Sequence, residues 1–284
     1  MATYNQLIHK YTKAFNDKGL SANTLKAFIF ELCNENDVNL YLEMDNECLP
    51  IIEKKYEDGV KRLLNDEPMN YVLGYSYFYG YKMLVNKDVL IPRFETEELV
   101  GLILSKYDEF YPKKDINICD VGTGSGAIAI ALKKEESRMN VFASDISEEA
   151  VSMARQNAKI NDADVTFMVG SMLEPYIENN IKVDILVSNP PYIKVDEVLE
   201  NSVKDYEPHL ALFGGNDGLK FYRIIFENAL KVVKDDGLMF FEMGYDQKEN
   251  LTSLAKEYFP KAMVEVYKDI NKKDRMLMIN LKGE

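Results

Sequence analysis

Apolar and polar positions follow three successive regimes along this chain. Over the first seventy residues the apolar positions recur at helical spacing. Tyr4, Leu7, Ile8, Tyr11 and Phe15 form one stripe that Gly19 brings to an end. Ser21, a residue type that caps helix starts, precedes Leu25, Phe28, Ile29 and Leu32 on one face. A short piece around residues 38–42 follows, and a further helix is predicted over 47–64, with Pro50 tolerated in its first turn. Packed on one another, these faces make a bundle close to the smallest stable core. Residues 71–90 then turn rich in Tyr, Val and Phe, punctuated by Gly74 and Gly80, with a turn signal at Asn86-Lys87-Asp88. That stretch predicts a β-hairpin.

The third regime alternates strand and helix. Strands are predicted over 116–121, 141–144, 165–169, 185–187 and 238–243, and helices open after 96, 127, 147, 218 and 247. Thr96 or Glu95 is placed to cap the helix that carries Leu99, Leu102, Ile103 and Leu104. Residues 262–267 and 275–281 suit an antiparallel pair at the sheet edge, while 195–216 reads as loop or short helices over a cleft. The expected architecture is α/β: a doubly wound, mostly parallel sheet with an antiparallel C-terminal edge, beside a small N-terminal helical bundle. The expected divisions are 1–70 for the bundle, 71–92 for the hairpin linker and 93–284 for the sheet domain.

Composition narrows the chemistry. With 284 residues and 46% hydrophobic content the chain is an ordinary folded protein of one large or two modest domains. A formal charge of −13 argues against strong sequence-independent binding to nucleic-acid backbones. Cys33, Cys48 and Cys119 are odd in number and lack close spacing, as expected of reduced, buried thiols in a cytoplasmic protein. The opening residues Met1–Gln6 carry no apolar signal core, and no apolar run approaches ~18 residues, so neither a leader nor a membrane span is expected. His9 and His209 are the only histidines, which makes His-ligated metal or a Ser-His-Asp triad improbable.

Four strand ends carry the candidate chemistry. The first gives Asp120-Val121-Gly122-Thr123-Gly124-Ser125-Gly126, a turn whose alternate glycines let backbone approach a ligand closely. The second ends in Asp145, nineteen positions after Gly126, where an acid can accept hydrogen bonds from both ribose hydroxyls or cap the next helix. This glycine spacing differs from the dinucleotide pattern and suits a nucleoside without pyrophosphate, S-adenosylmethionine. The third ends in Gly170-Ser171-Met172, where Ser171 can bond an adenine amine and Met172 can pack on its ring. The fourth, Ile185-Leu186-Val187, stops at Asn189-Pro190-Pro191-Tyr192. Paired prolines end the ladder and hold the chain rigid. Two acceptors, the Asn189 side-chain oxygen and the Pro190 carbonyl, can then hold both hydrogens of an –NH2 group while Tyr192 packs on its plane. Asn-Pro is also a common turn opener.

Together these motifs resemble the class I S-adenosylmethionine-dependent methyltransferases, and Asn189-Pro190-Pro191-Tyr192 marks the branch that methylates amino and amide nitrogen. Glu67-Pro68-Met69-Asn70-Tyr71-Val72-Leu73-Gly74, Leu90-Ile91-Pro92-Arg93-Phe94-Glu95-Thr96-Glu97 and Tyr206-Glu207-Pro208-His209 through Gly214-Gly215, then Asp217-Gly218-Leu219, extend the likeness. The whole chain is similar to the peptide chain release factor glutamine methyltransferase (PrmC/HemK) family. Two departures are Phe94, where the family usually has proline, and Ser171-Met172, where many members have an acid and tryptophan.

The resemblance implies a Rossmann-like sheet, methyl transfer to the N5 amide nitrogen of a Gly-Gly-Gln glutamine in release factors, S-adenosylhomocysteine as product, and no metal. It assigns catalysis to Asn189, Pro190, Pro191 and Tyr192. The cofactor falls to Gly122, Thr123, Gly124, Ser125, Gly126, Asp145, Ser171, Met172 and Asn189. The substrate pocket takes Asn189, Pro190, Pro191 and Tyr192, joined by Glu207 and Arg93, which can equally form a structural ion pair. The helical domain is expected to recognise the release factor. Methylation of a ribosomal protein glutamine or of nucleic-acid adenine, and cofactor binding without catalysis, are the alternatives. The acidic charge and the absence of tryptophan weigh against the nucleic-acid reading.

Overall fold

The structure, a computed structural model, describes residues 2–283. The chain divides into two compact units; one runs to Gly74 and includes Glu200–Tyr206, and the other comprises Tyr75–Leu199 and the remainder from Glu207.

The first unit is all helical: Tyr4–Asp17, Ala22–Asn34, Leu40–Glu43, Pro50–Leu63, Met69–Leu73 and Asn201–Tyr206. Its helix starts follow the sequence signals. Thr3 and Gln6 form a reciprocal capping box, Ser21 Oγ accepts from the Asn23 N–H, and Pro50 occupies the first helical position. Leu7, Phe15, Phe28, Ile29, Ile52, Tyr56 and Val60 are buried between the helices. Residues 71–73, expected in the hairpin, are helical instead. Pro68 starts a short helix and Gly74, at φ 82°, closes it, so the β pattern begins only at Tyr75.

The second unit opens with the hairpin β1 (Tyr75–Phe78) and β2 (Tyr81–Leu84), joined through Tyr79 and Gly80, both at positive φ. Asn86-Lys87-Asp88 forms a separate turn beyond it, where Asn86 Oδ1 accepts from the Asp88 N–H. The main sheet contains β3 (Ile116–Val121), β4 (Met139–Asp145), β5 (Val165–Val169), β6 (Val183–Ser188), β7 (Val233–Glu242), β8 (Met263–Lys268) and β9 (Asp274–Asn280). Their order is β5-β4-β3-β6-β7-β9-β8, parallel from β5 to β7 and antiparallel at β9 and β8. The expected mixed sheet with its antiparallel edge is therefore observed. Strand order reverses between β3 and β6, and open α/β sheets bind ligands outside the carboxyl ends at such a switch.

Alternation along the strands supplies two cores. Ile185, Leu238 and Phe240 face one side, Leu186, Met239 and Phe241 the other. Several side chains fasten the hairpin to this unit, among them Asn161 on the Lys82 carbonyl and Glu97 on the Tyr79 N–H, and one buried amide makes three of the bonds. Asn157 Oδ1 accepts from the Leu84 N–H at 2.6 Å, and its Nδ2 donates to the carbonyls of Leu84 at 3.0 Å and Ser125 at 2.9 Å. Removing it strands one buried and two part-buried backbone groups, and a buried group left unpaired costs about 1–3 kcal/mol. Asn157→Ala is therefore expected to destabilise the protein by ~3 kcal/mol or more, read as a lower denaturation midpoint. A midpoint equal to that of the unaltered chain would show that the amide does not fasten the hairpin.

Candidate functional site

The glycine turn after β3 and the acid after β4 build one wall. Gly122 and Gly124 have φ of 76° and 54°, and a Cβ on either would meet nothing within 4 Å. The turn thus offers bare backbone to an open space. Asp145 ties it to the neighbouring strand: Oδ2 accepts from the Gly124 N–H at 2.9 Å and Oδ1 from the Ser147 N–H at 3.0 Å. Helix capping falls to Ser147, whose Oγ accepts from the Ala150 N–H. Each Asp145 oxygen retains acceptor capacity beyond that one bond. Burial pushes the Asp145 carboxyl above the usual range, and the backbone N–H groups pull it back. Beneath the turn, buried Asp120 accepts from the Thr123 hydroxyl at 2.6 Å, and burial pushes its carboxyl up to about 7.

These residues border a cavity of about 520 Å³. Gly122, Thr123, Gly124, Ser125, Asp145, Ser171, Met172 and Asn189 all line it, as do Pro191 and Arg93. Gly126 does not; a Cβ there would press on Ala154, so its role is helix packing. Pro190 is buried, and Pro190, Tyr192 and Glu207 lie outside the lining. Arg93 donates to Glu207 Oε1, whose other oxygen accepts from the Ile91 N–H at 3.3 Å. That pair ties the segment before the helix Phe94–Phe110 to the segment after the Asn-Pro-Pro-Tyr motif. Residues that sequence reasoning left out also line the cavity, among them Phe78, Val89, Lys220 and Phe221. Among the described residues no cluster of three or more His, Cys, Asp or Glu side chains is placed to hold a metal.

From the cavity wall a polar chain runs inward, beginning at Asn189 and Thr96, which both line the cavity, and ending at buried Glu242. Asn189 Nδ2 donates to Thr96 Oγ1 at 3.2 Å, Thr96 donates to Glu242 Oε2 at 2.6 Å, and the Tyr192 hydroxyl donates to Glu242 Oε1 at 3.3 Å. Asn189 Oδ1 accepts no hydrogen bond from the described residues. Neither Thr96 nor Glu95, the two caps the sequence offers, fills that role; the helix Phe94–Phe110 has Arg93 at its N-cap and no side-chain cap bond. The Thr96 hydroxyl serves Glu242 instead. The sequence did hold one signal for Glu242: a lone carboxylate in the apolar run Leu238–Met243, which must find partners when buried. Phe94, at the first helical position where proline is common, is 61% exposed.

The motif backbone is braced from the other side. Gln247 Nε2 donates to the carbonyls of Tyr192 at 3.2 Å and Gly218 at 3.3 Å, while its Oε1 accepts from the Gly244 N–H. Gly218 sits at φ 73°, and a Cβ there would overlap the Tyr192 carbonyl and the Gln247 amide. Gly218→Ala is expected to push Tyr192 out of place and to lower turnover by on the order of 100-fold, the cost of a displacement near 1 Å. Steady-state kinetics at saturating cofactor check this. Unchanged kcat would mean that the motif yields to the added methyl without consequence.

Comparison with known proteins follows the same lines. The sequence profile of the methyltransferase small domain matches residues 102–211. A release factor glutamine methyltransferase of Bacillus cereus is 37% identical over 284 residues, covering 99% of this chain and 100% of that one. The protein of the same description from Bacillus subtilis is 46% identical over 213 residues, 74% of each chain. Among solved structures, a methyltransferase from Pyrococcus furiosus gives a TM-score of 0.52 at 18% identity, covering 80% of this chain and all of that one. That likeness concerns the fold.

Proposed function

Because this chain belongs to the release factor glutamine methyltransferase family, we propose that its cavity takes S-adenosylmethionine and that Asn189 and the Pro190 carbonyl receive the substrate amide. The protein is an enzyme that methylates release factor glutamine, a step belonging to translation termination. The fold expected from the resemblance, a class I methyltransferase sheet, agrees with the strand order. The glutamine of the Gly-Gly-Gln motif, modified at N5, is the substrate position we assign. The helical unit is assigned to recognition of the release factor, and the enzyme to the cytoplasm. No helix among the described residues is long and apolar enough to cross a membrane.

The residues present fit the cofactor. A cavity of about 520 Å³ lies within the ~300–1,000 Å³ usual for small-molecule sites. Gly122 and Gly124 leave unfilled the space that two side chains would take, and Asp145 offers acceptors suited to two ribose hydroxyls. When bound, S-adenosylmethionine supplies an electrophilic methyl group on its sulfonium.

The protein's task concerns the amide. A glutamine nitrogen is a poor nucleophile because its lone pair is delocalised into the carbonyl. Hydrogen bonds from both of its N–H groups, one to Asn189 Oδ1 and one to the Pro190 carbonyl, favour a pyramidal nitrogen and stabilise the positive charge that develops on it. Tyr192 holds the amide plane, and placement in line contributes the remainder. One observation carries this reading: Asn189 lines the cavity with its Nδ2 committed to Thr96, which leaves Oδ1 as its acceptor for a substrate.

Labelled methyl transfer to purified release factor, ribosomes and duplex DNA in parallel tests the assignment. Label is expected on the release factor, and its loss is expected when the Gly-Gly-Gln glutamine is replaced. Label on DNA with none on protein would overturn the substrate and keep the amino-group chemistry.

A further inference from the structure

We infer that Glu242, acting through Thr96, sets the direction of the Asn189 amide, so that both are positioning residues for methyl transfer; the inference rests on the reading of Asn189 above. The argument counts hydrogens. Glu242 is 2% exposed and, when ionised, offers only acceptors. Each of its oxygens takes one hydroxyl, Thr96 at 2.6 Å and Tyr192 at 3.3 Å. A threonine hydroxyl has one hydrogen. With that hydrogen committed to Glu242, Thr96 Oγ1 can face Asn189 only as an acceptor. Asn189 must therefore present its NH2 at 3.2 Å and keep its carbonyl oxygen on the other side. A reversed amide would set two acceptors, Asn189 Oδ1 and Thr96 Oγ1, against each other at a part-buried contact, with no hydrogen between them.

The fold explains how these groups meet. Alternation along β7 puts Glu242 on the same face as Leu238 and Phe240. The first turn of the helix Phe94–Phe110 carries Thr96 to that face. The acid is itself held: the Tyr222 hydroxyl donates to the Glu242 carbonyl oxygen at 2.6 Å, and Glu242 pairs with Met276 of β9. Burial raises its carboxyl, while the Thr96 bond and the charge of Arg275 favour the ionised form. A single buried carboxylate thus governs two side chains of the motif, Asn189 through Thr96 and Tyr192 directly.

The requirement is for a carboxylate in particular. A glutamine at 242 could turn its NH2 toward Thr96, which would release the Thr96 hydrogen to donate to Asn189 Oδ1 and turn the amide over. The test compares Thr96→Ser, Thr96→Val and Glu242→Gln in the full-length enzyme, with methyl transfer to purified release factor and S-adenosylhomocysteine affinity by calorimetry. Thr96→Ser keeps the hydroxyl and is expected to stay within about threefold of wild type. Thr96→Val keeps the shape and loses the acceptor. It and Glu242→Gln are expected to lower kcat by on the order of 100-fold, as misplacement of a reacting group does, while KM for the release factor and the S-adenosylhomocysteine Kd change by less than about threefold. A folded Thr96→Val enzyme with wild-type kcat would overturn the inference, and so would an equal loss in Thr96→Ser, which would point to packing. Absence of methyl transfer in the wild-type protein would overturn the functional reading and this inference together; an active wild type with an equally active Thr96→Val overturns this inference alone.

Discussion

Asn189→Ala is expected to lower turnover of the release factor by on the order of 100- to 1,000-fold, the range seen when one group that stabilises developing charge is removed. The alanine lacks the oxygen assigned to one substrate N–H, so the amide nitrogen loses a partner that strengthens as positive charge grows. Little else changes. The strand β6 ends at Ser188, whose hydroxyl donates to the Val121 carbonyl at 2.6 Å independently of the next residue. The glycine turn keeps its bond to Asp145. Cofactor affinity is therefore expected to fall only severalfold, in line with the loss of one lining side chain. Single-turnover transfer measured beside S-adenosylhomocysteine binding separates the two effects. A variant with near-normal turnover would show that Asn189 is the end of a turn and nothing more.

Asp145→Ala is expected to fail in the opposite way. Hydrogen bonds to a charged group contribute about 1.5–3 kcal/mol each. Loss of two from a ribose then costs ~3 kcal/mol or more, roughly a 100-fold weaker Kd. The substitution also releases the Gly124 and Ser147 N–H groups, which Asp145 now holds at 2.9 and 3.0 Å. Asparagine is a poor rescue because its NH2 must face one of those two donors. Since none of these atoms belongs to the Asn189–Thr96–Glu242 chain, kcat at saturating cofactor is expected to return to near the wild-type value. Titration calorimetry and cofactor-dependent kinetics check both parts. Unaltered affinity would assign Asp145 to bracing the turn alone.

What was legible in the sequence was local. Glycines at 122 and 124, the acid at the end of β4 and the proline pair after β6 each act within a few residues of chain, so their spacing announced them. Strand and helix periodicity likewise gave the sheet and its antiparallel edge. Boundaries slipped where a short helix and a strand share apolar residues, as at 71–73 before Gly74. The supporting groups were hidden for another reason. Thr96 and Glu242 are 146 positions apart, and only the tertiary fold makes them partners. Gln247 braces Tyr192 from a segment 55 positions on, and Gly218, whose segment did stand out in the sequence, gave no local sign that it packs on Tyr192. Thr96 in particular read as a helix cap because local pattern alone favours that use of threonine near a helix start.

The division of labour we propose places cofactor affinity on β3, β4 and β5, whose ends line the cavity, and reactivity on β6 with help from β7 and the helix Phe94–Phe110. The most direct test of it is tandem mass spectrometry of release factor after incubation with S-adenosylmethionine and either wild-type or Asn189→Ala enzyme. The account predicts the mass of one methyl group on the side-chain amide of the Gly-Gly-Gln glutamine with wild type, and at the time wild type reaches completion about 1% of that modification or less with the variant. A methyl group on any other residue, or on that glutamine with both enzymes alike, would contradict it.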